Sequence, residues 1–435
     1  MAGIRIKNEV IDKIKPMNAV NNGPVKAGSS QIRSNFDSYK AAAIPYARTH
    51  DASFWSRYGG EHCVDINAVF PDFEKDPYDS ASYDFTLTDE YLQTIIDAGT
   101  QVFYRLGSKI EHWSKKYGTV VPKDFHKWAV ICEHIIRHYN EGWADGFCMN
   151  IEYWEIWNEP DLDDDAEDKR TWGGTAKEFF DLYTVAAKHL KECFPKLKIG
   201  GPALAYRMDW AERFLKAMSE RNVPIDFFSW HMYTSNPSAV KELSDRVDAM
   251  LKKYGYENTE SILNEWNYVE DWEERFVDTI RAIIGMKGAA FTAAVMCAAQ
   301  NSPVDMLMYY DARPCVFNGL FDFYTYDKLK TYYVFKMFKY LREDGNEIVC
   351  ETDDSDIYAL ASADANGSIS AMVSCYSNDD NAAPKKISVN ISGKSDKPLT
   401  CFVLDEDNDC RRIENCQAKI EVKPNSVLFF TQKEL

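Results

Sequence analysis

Short runs of β-branched and aromatic residues recur along the first three quarters of the chain, each followed by a longer amphipathic stretch. No other feature restricts the fold as much. Eight such runs are found, at Ile14–Ala19, Ile44–Thr49, Gln101–Leu106, Ile151–Trp157, Lys198–Gly201, Phe227–His231, Ile262–Glu265 and Met306–Tyr310. Helical periodicity fills the intervals at Asp89–Ala98, Phe125–Tyr139, Ala176–Cys193, Trp210–Arg221 and Ser238–Tyr254. Thr88 is a candidate N-cap for the first of these, and Thr175 with Glu178 has capping-box spacing before the third. Eight parallel strands alternating with helices over about 330 residues predict an α/β fold, the (β/α)8 TIM barrel.

From about Asn346 the helical period disappears. Ile357–Ala363 and Ser368–Tyr376 flank Asn366-Gly367, a hairpin signal. Further alternating segments follow at Lys386–Ile391, Thr400–Leu404, Ala418–Val422 and Val427–Gln432. The expected division is a barrel over residues 1–345 and a β-sandwich accessory domain over 346–435. Residues 1–10, specifically Gly3–Val10, are available as a strand added to the sandwich.

Charge narrows the partners. The 435 residues carry 50 Lys and Arg against 68 Asp and Glu, a net charge of −18, which excludes a phosphate-backbone binder and disfavours an anionic membrane surface. A 45% hydrophobic content supports a substantial core. Trp, Tyr and Phe number 11, 25 and 24, more than a core alone requires, and stacking on flat uncharged ligands is one use for the surplus. Trp157, Tyr233, Trp266 and Tyr310 fall at strand ends, where the apolar face of a sugar would stack. The opening MAGIRIKNEVIDKIKPM lacks the apolar stretch of a secretory signal, and the weakly polar run Gly288–Ala299 is too short to span a bilayer. Eleven cysteines without a C-x-x-C pair read as free thiols, so the expected location is cytoplasmic.

Two segments carry chemistry. Trp154-Glu155-Ile156-Trp157-Asn158-Glu159-Pro160 is a strand that ends in a polar pair stopped by proline. Ser261-Ile262-Leu263-Asn264-Glu265-Trp266-Asn267 is a second buried strand ending in a glutamate. They are the fourth and seventh predicted barrel strands, and their carboxyl ends lie at the face where such barrels hold their sites. Two carboxylates facing each other there are what glycosidic cleavage needs: one protonates the leaving oxygen and the other attacks the anomeric carbon or activates water. Their separation, which decides between retention and inversion, does not follow from spacing in sequence.

These pieces, with Arg48-Thr49-His50, Arg105-Leu106-Gly107, Gly200-Gly201-Pro202, Ser229-Trp230-His231-Met232-Tyr233 and Phe317-Asn318-Gly319-Leu320-Phe321, resemble a retaining glycoside hydrolase of clan A. The resemblance is strongest to family 39, which includes β-xylosidases and α-L-iduronidases. It implies that Glu159 is the acid/base, Glu265 the nucleophile and Asn158 the partner of the sugar 2-hydroxyl, with His50, His231 and Tyr233 lining the sugar site. It also implies a small glycoside or oligosaccharide as substrate, no cofactor or metal, and a homo-oligomer. Where family xylosidases carry a tryptophan near the end of strand eight, this chain has Tyr309-Tyr310-Asp311-Ala312-Arg313-Pro314. That departure leaves a uronic acid, galactose or arabinose open beside xylose, with Arg313 either meeting a carboxylated sugar or pairing with Asp311.

Other features have plainer readings. Trp266 and Asp311 are candidate substrate-binding residues by position, although a strand-end aspartate also caps helices. Glu133, His134 and His138 have the order Glu-His-x-x-x-His, which lacks the general base of a metalloprotease and reads as a helix face. The acidic run Asp161–Asp168 lacks the loop-turning glycine of a calcium loop. A non-catalytic carbohydrate-binding protein on a decayed barrel is the alternative from another class; the presence of both glutamates argues against it.

Overall fold

The structure is a computed structural model and describes residues 2–28, 32–50, 63–163, 168–392, 398–413 and 419–433. Half of the acidic run (residues 164–167), Cys416 and the start of the segment expected at Ala418–Val422 lie outside the described residues.

Eight parallel strands close into a barrel: β2 (Ala19–Asn21), β3 (Tyr46–Arg48), β4 (Gln101–Leu106), β5 (Tyr153–Ile156), β6 (Lys198–Leu204), β7 (Phe227–Thr234), β8 (Glu260–Tyr268) and β9 (Met306–Tyr309). The ring is completed by β2 pairing with β9, Ala19 opposite Met308 and Val20 opposite Tyr309. The expected first strand begins late. Pro16 has no N–H for a ladder, and Lys15 instead spends its N–H on Gln300 Oε1 (2.9 Å) and its ammonium on Ser302 O (2.7 Å).

Helices follow the strands close to the expected places, at Thr86–Asp97, Phe125–Glu141, Ala176–Cys193, Met208–Glu220 and Pro237–Lys253. Both bonds of the Thr175–Glu178 capping box form. Thr88 is not a cap: its helix starts a turn earlier, and its hydroxyl donates to Cys63 O. The weakly polar run belongs to a helix, Met286–Gln300, that is buried almost all round. No single helix among the described residues is long and apolar enough to cross a membrane.

Strand alternation fills the barrel in layers. Tyr46, Phe103, Tyr153, Phe227, Ile262, Met306 and Met308 point inward near the amino ends of the strands and form an apolar plug. Gly200 belongs to this layer, because a Cβ there would sit 2.2 Å from Phe227 O and 2.6 Å from its ring. One inward step higher the layer is polar, with Asn21, Arg48, Glu155, Ser229 and Asn264, all fully buried. The mouth lies above them.

The remaining strands are β1 (Ala2–Lys13), β10 (Asn346–Thr352), β11 (Ile357–Ala363), β12 (Ile369–Cys375), β13 (Lys385–Ser392), β14 (Thr400–Leu404), β15 (Arg411–Ile413), β16 (Lys419–Val422) and β17 (Ser426–Thr431). They form one curled mixed sheet in the order β15-β14-β17-β12-β11-β10-β1-β13-β16. The amino-terminal strand pairs antiparallel with β10 and parallel with β13. Alternation assigns the two faces: Ile369, Ala371, Val373, Leu428 and Phe430 join Ile4 and Ile6 in the sheet's own core. Met372, Val427 and Phe429 from the opposite face join the barrel core. Ser374 Oγ donates to Ala290 O on the buried helix (2.7 Å). At the hairpin tip Gly367 takes φ +76°, the left-handed conformation that its turn demands.

Candidate active site

β5 ends with a sharp change of direction. Trp157 and Glu159 both adopt positive φ, +76° and +50°, which is uncommon outside glycine and is found where the surroundings over-determine the backbone. Here Trp157 N donates to Leu106 O (2.6 Å) and Glu159 N to Ala203 O (2.9 Å), while the Thr171 hydroxyl donates to Glu159 O (2.5 Å). The Glu159 side chain is thereby aimed across the mouth.

β8 uses a bulge. Its pairing shifts register between Trp230 and His231 on β7 and between Leu263 and Trp266 against β9. The extra residue lets Asn264 and Glu265 both face inward. It also sends Trp266 outward, and here the sequence expectation is corrected. Trp266 is 1% exposed, with its ring edge-on to Tyr309 (5.4 Å) and near Phe291 (6.3 Å), so it packs the barrel against a helix and lines no site. Trp157 is buried likewise, its indole N–H donating to Thr171 O (2.8 Å). Among the described residues the large exposed aromatic rings, Tyr78, Trp113, Tyr117, Tyr206, Trp272 and Tyr324, instead stand in loops that follow barrel strands on the mouth side.

Glu265 is 6% exposed and surrounded by donors. Tyr233 Oη donates to its Oε1 (2.6 Å), while Arg48 Nη1 (3.2 Å), His50 Nε2 (3.1 Å) and His231 Nε2 (3.8 Å) face its Oε2. Burial alone would raise its pKa, but His231, His50 and Arg48 outweigh it and hold the carboxyl far below the usual range. Tyr233, pushed far up by burial and by Glu265, stays a neutral donor. Glu159 faces this group, with Oε1 2.9 Å from His231 Nδ1. One oxygen of each glutamate and a nitrogen of His231 lie within 4.8 Å of one another. Burial works against the charge on His231, yet Glu265 and Glu159 together raise its pKa.

Asn158 is placed by Arg48, whose Nη2 donates to Asn158 Oδ1 (2.6 Å). Arginine only donates, so the amide oxygen must face it, and the Asn158 NH2 is left to donate elsewhere. Arg48 is held in turn by Glu155 Oε2 (2.7 Å) and Asn21 Oδ1 (3.1 Å), and Glu155 Oε1 accepts from Ser229 Oγ and Asn264 Nδ2 (both 2.5 Å). Neither Arg48 nor Glu155 was singled out from the sequence. The signal available was parity: Glu155 sits two residues from inward-facing Tyr153, and a buried carboxylate there requires a cation at matching height.

Asp311 is 3% exposed and caps no helix. It accepts from the main-chain N–H of Arg313 (2.7 Å) and from Asn22 Nδ2 (3.3 Å), and the Arg313 side chain is itself buried. Tyr310, one residue before it, meets His50 edge-on (5.2 Å). Burial pushes the Asp311 carboxyl up to about 7 from an ordinary 3.8. The folded protein thus holds this proton more tightly than the unfolded chain. Stability from this group is fully present below about pH 4 and is lost as pH rises toward 7. Asp311→Asn cannot ionise, so its melting temperature relative to wild type should climb by about 3 °C between pH 5 and pH 8. Parallel melting curves at both pH values would contradict this.

Glu133, His134 and His138 do not converge. Glu133 accepts from Arg137 Nε (2.8 Å) and contacts His189 Nε2 (2.7 Å), His134 Nδ1 meets Val130 O (2.9 Å), and His138 Nε2 meets Asp89 (3.0 Å). Donor atoms close enough to share a cation occur among the described residues at Glu133–His189–Cys193 and at Glu159–His231–Glu265.

Residues 55–398, which include both strand-end glutamates, match the family model described as "Glycosyl hydrolases family 39". The chain belongs to that family. A β-xylosidase of Geobacillus stearothermophilus is 28% identical over 229 residues, 50% of this family 39 chain and 40% of the relative. The match thus spans about two fifths of that curated relative's length. In fold, the chain is similar to a glucosidase from Croceicoccus marinus, with a TM-score of 0.80, 22% identity and coverage of 99% and 98% of the two chains. It is also similar to a monomeric β-xylosidase from Caulobacter crescentus CB15, with a TM-score of 0.72, 15% identity and 99% coverage of both.

Proposed function

We propose that this chain hydrolyses a neutral, xyloside-like glycoside with retention of configuration, Glu265 acting as nucleophile and Glu159 as acid/base. The observation that carries the reading is the pair itself: two glutamates from different strands whose nearest oxygens lie within 4.8 Å. Carboxyl groups about 5–5.5 Å apart serve double displacement, whereas an inverting water needs roughly 6.5 Å or more. Environment then separates the roles. Glu265, ringed by Arg48, His50, His231 and Tyr233, is held as the anion that attacks. Glu159 stands across from it, beside His231.

In the first step a Glu265 oxygen bonds to the anomeric carbon, the glycosidic C–O bond breaks, and Glu159 gives its proton to the departing oxygen. In the second, Glu159 takes a proton from water, whose oxygen attacks the same carbon and releases Glu265. The Asn158 NH2, left free to donate by the Arg48 contact, is placed to bond a ring hydroxyl that gains from it most in the transition state. The β-xylosidase relative supports a pentose, and the net charge of −18 is compatible with a neutral one. A panel of nitrophenyl glycosides tests the reading. Hydrolysis of the xyloside, with the first-formed sugar in the substrate's own anomeric form by NMR, is expected. Release of the opposite anomer, or no turnover of any glycoside, would refute it.

A further inference from the structure

We propose that Trp272 forms the platform of a leaving-group subsite, stacking the flat ring attached through the bond under attack. This inference rests on the glycosidase reading and names the part of the substrate that reading leaves open. Trp272 is 55% exposed although two phenyl rings hold its plane. It stacks on Phe276 (5.7 Å, 17°) and on Phe317 (5.8 Å, 14°), and those two lie nearly parallel to each other (6.1 Å, 9°). A tryptophan sequestered for the core would not leave half its surface in water while two phenyl rings hold its plane.

The shelf is continuous with the chemistry. Tyr233 meets Trp272 edge-on at 5.0 Å and donates to Glu265 at 2.6 Å, so one ring separates the shelf from the attacking carboxylate. Phe317 also lies against Tyr310, and Tyr310 against His50, so the aromatic wall rises from the floor of the mouth to its rim. A sugar seated over Glu265 and Asn158 fills the floor of the mouth and leaves the shelf to whatever is bonded to it. The chemistry that such a surface recognises is a flat ring with an apolar face, supplied either by a second pyranose or by an aromatic aglycone.

The test compares kcat/KM of wild type, Trp272→Ala and Trp272→Phe on three substrates sharing one sugar: the glycosyl fluoride, the nitrophenyl glycoside and the disaccharide. Fluoride has no ring to stack. Trp272→Ala should lose about tenfold on a ring-bearing substrate, chiefly through KM, and stay within about twofold of wild type on the fluoride. Trp272→Phe should recover most of the loss. A loss on the nitrophenyl glycoside alone identifies an aromatic aglycone, and a loss on the disaccharide as well identifies a sugar ring. Equal losses on all three substrates, or none on any, would overturn the subsite. Wild type inactive even on the fluoride would instead strike the glycosidase reading, so the two failures are distinct.

Discussion

Glu265→Gly should lower kcat/KM on a nitrophenyl glycoside by between about 10^4- and 10^6-fold, the range that removal of a reacting group costs in other hydrolases. Each tenfold is about 1.4 kcal/mol of barrel-supplied transition-state stabilisation, so the residue is being asked for roughly 5–8 kcal/mol. The site explains why one side chain carries so much. Arg48, His50, His231 and Tyr233 all converge on this carboxylate, and none of them replaces it as a nucleophile. Cutting the side chain to hydrogen leaves the donors around a space open to a small anion. Azide should therefore restore turnover of an activated glycoside and yield the azido sugar of inverted configuration, because the anion attacks from the side that Glu265 occupied. Glu265→Gln, which keeps shape and loses the charge, should be similarly inactive without being rescued. Near wild-type activity in either variant would remove Glu265 from the mechanism.

The barrel and its two glutamates were legible in the sequence for one reason. Strand-helix alternation sets the order of elements, and a polar Asn-Glu at a strand's carboxyl end stands out against an apolar run. In the structure, period-2 alternation divides β12 and β17 between the two cores, where the pairing is regular. The period breaks where the ladder is irregular. The bulge in β8 adds a residue before Trp266, so a ring expected in the mouth from its place at a strand end points outward. Trp157 escapes the same rule because its positive φ breaks the strand's parity. The Arg48–Glu155 pair was hidden because it joins residues 107 apart and depends on the height at which two strands present them. Stacking on aromatic rings was a sound use for the aromatic surplus, but the exposed rings stand one loop beyond the strand ends.

The second large effect concerns Glu159, and its size depends on the substrate. Glu159→Ala removes the proton donor and leaves Glu265 with its donors intact, so attack remains possible wherever the leaving group needs no proton. General acid catalysis is worth about 10^2–10^4-fold when the leaving oxygen is basic. A disaccharide or alkyl glycoside should thus slow by about that factor, while formation of the glycosyl-enzyme from a dinitrophenyl glycoside should slow by less than about tenfold. The second step then becomes limiting, since no base draws the proton from water, and the covalent intermediate should accumulate and be visible by mass spectrometry. Azide attacks without a base, so it should speed turnover and give a product of retained configuration, opposite to the product of Glu265→Gly. That opposition is the sharpest consequence of the geometry, because the two variants differ only in which face of the anomeric carbon has lost its carboxylate. Equal slowing of dinitrophenyl and alkyl glycosides by Glu159→Ala would deny it the acid role. The same azide anomer from both variants would show that the two glutamates do not lie on opposite sides of the bond being broken.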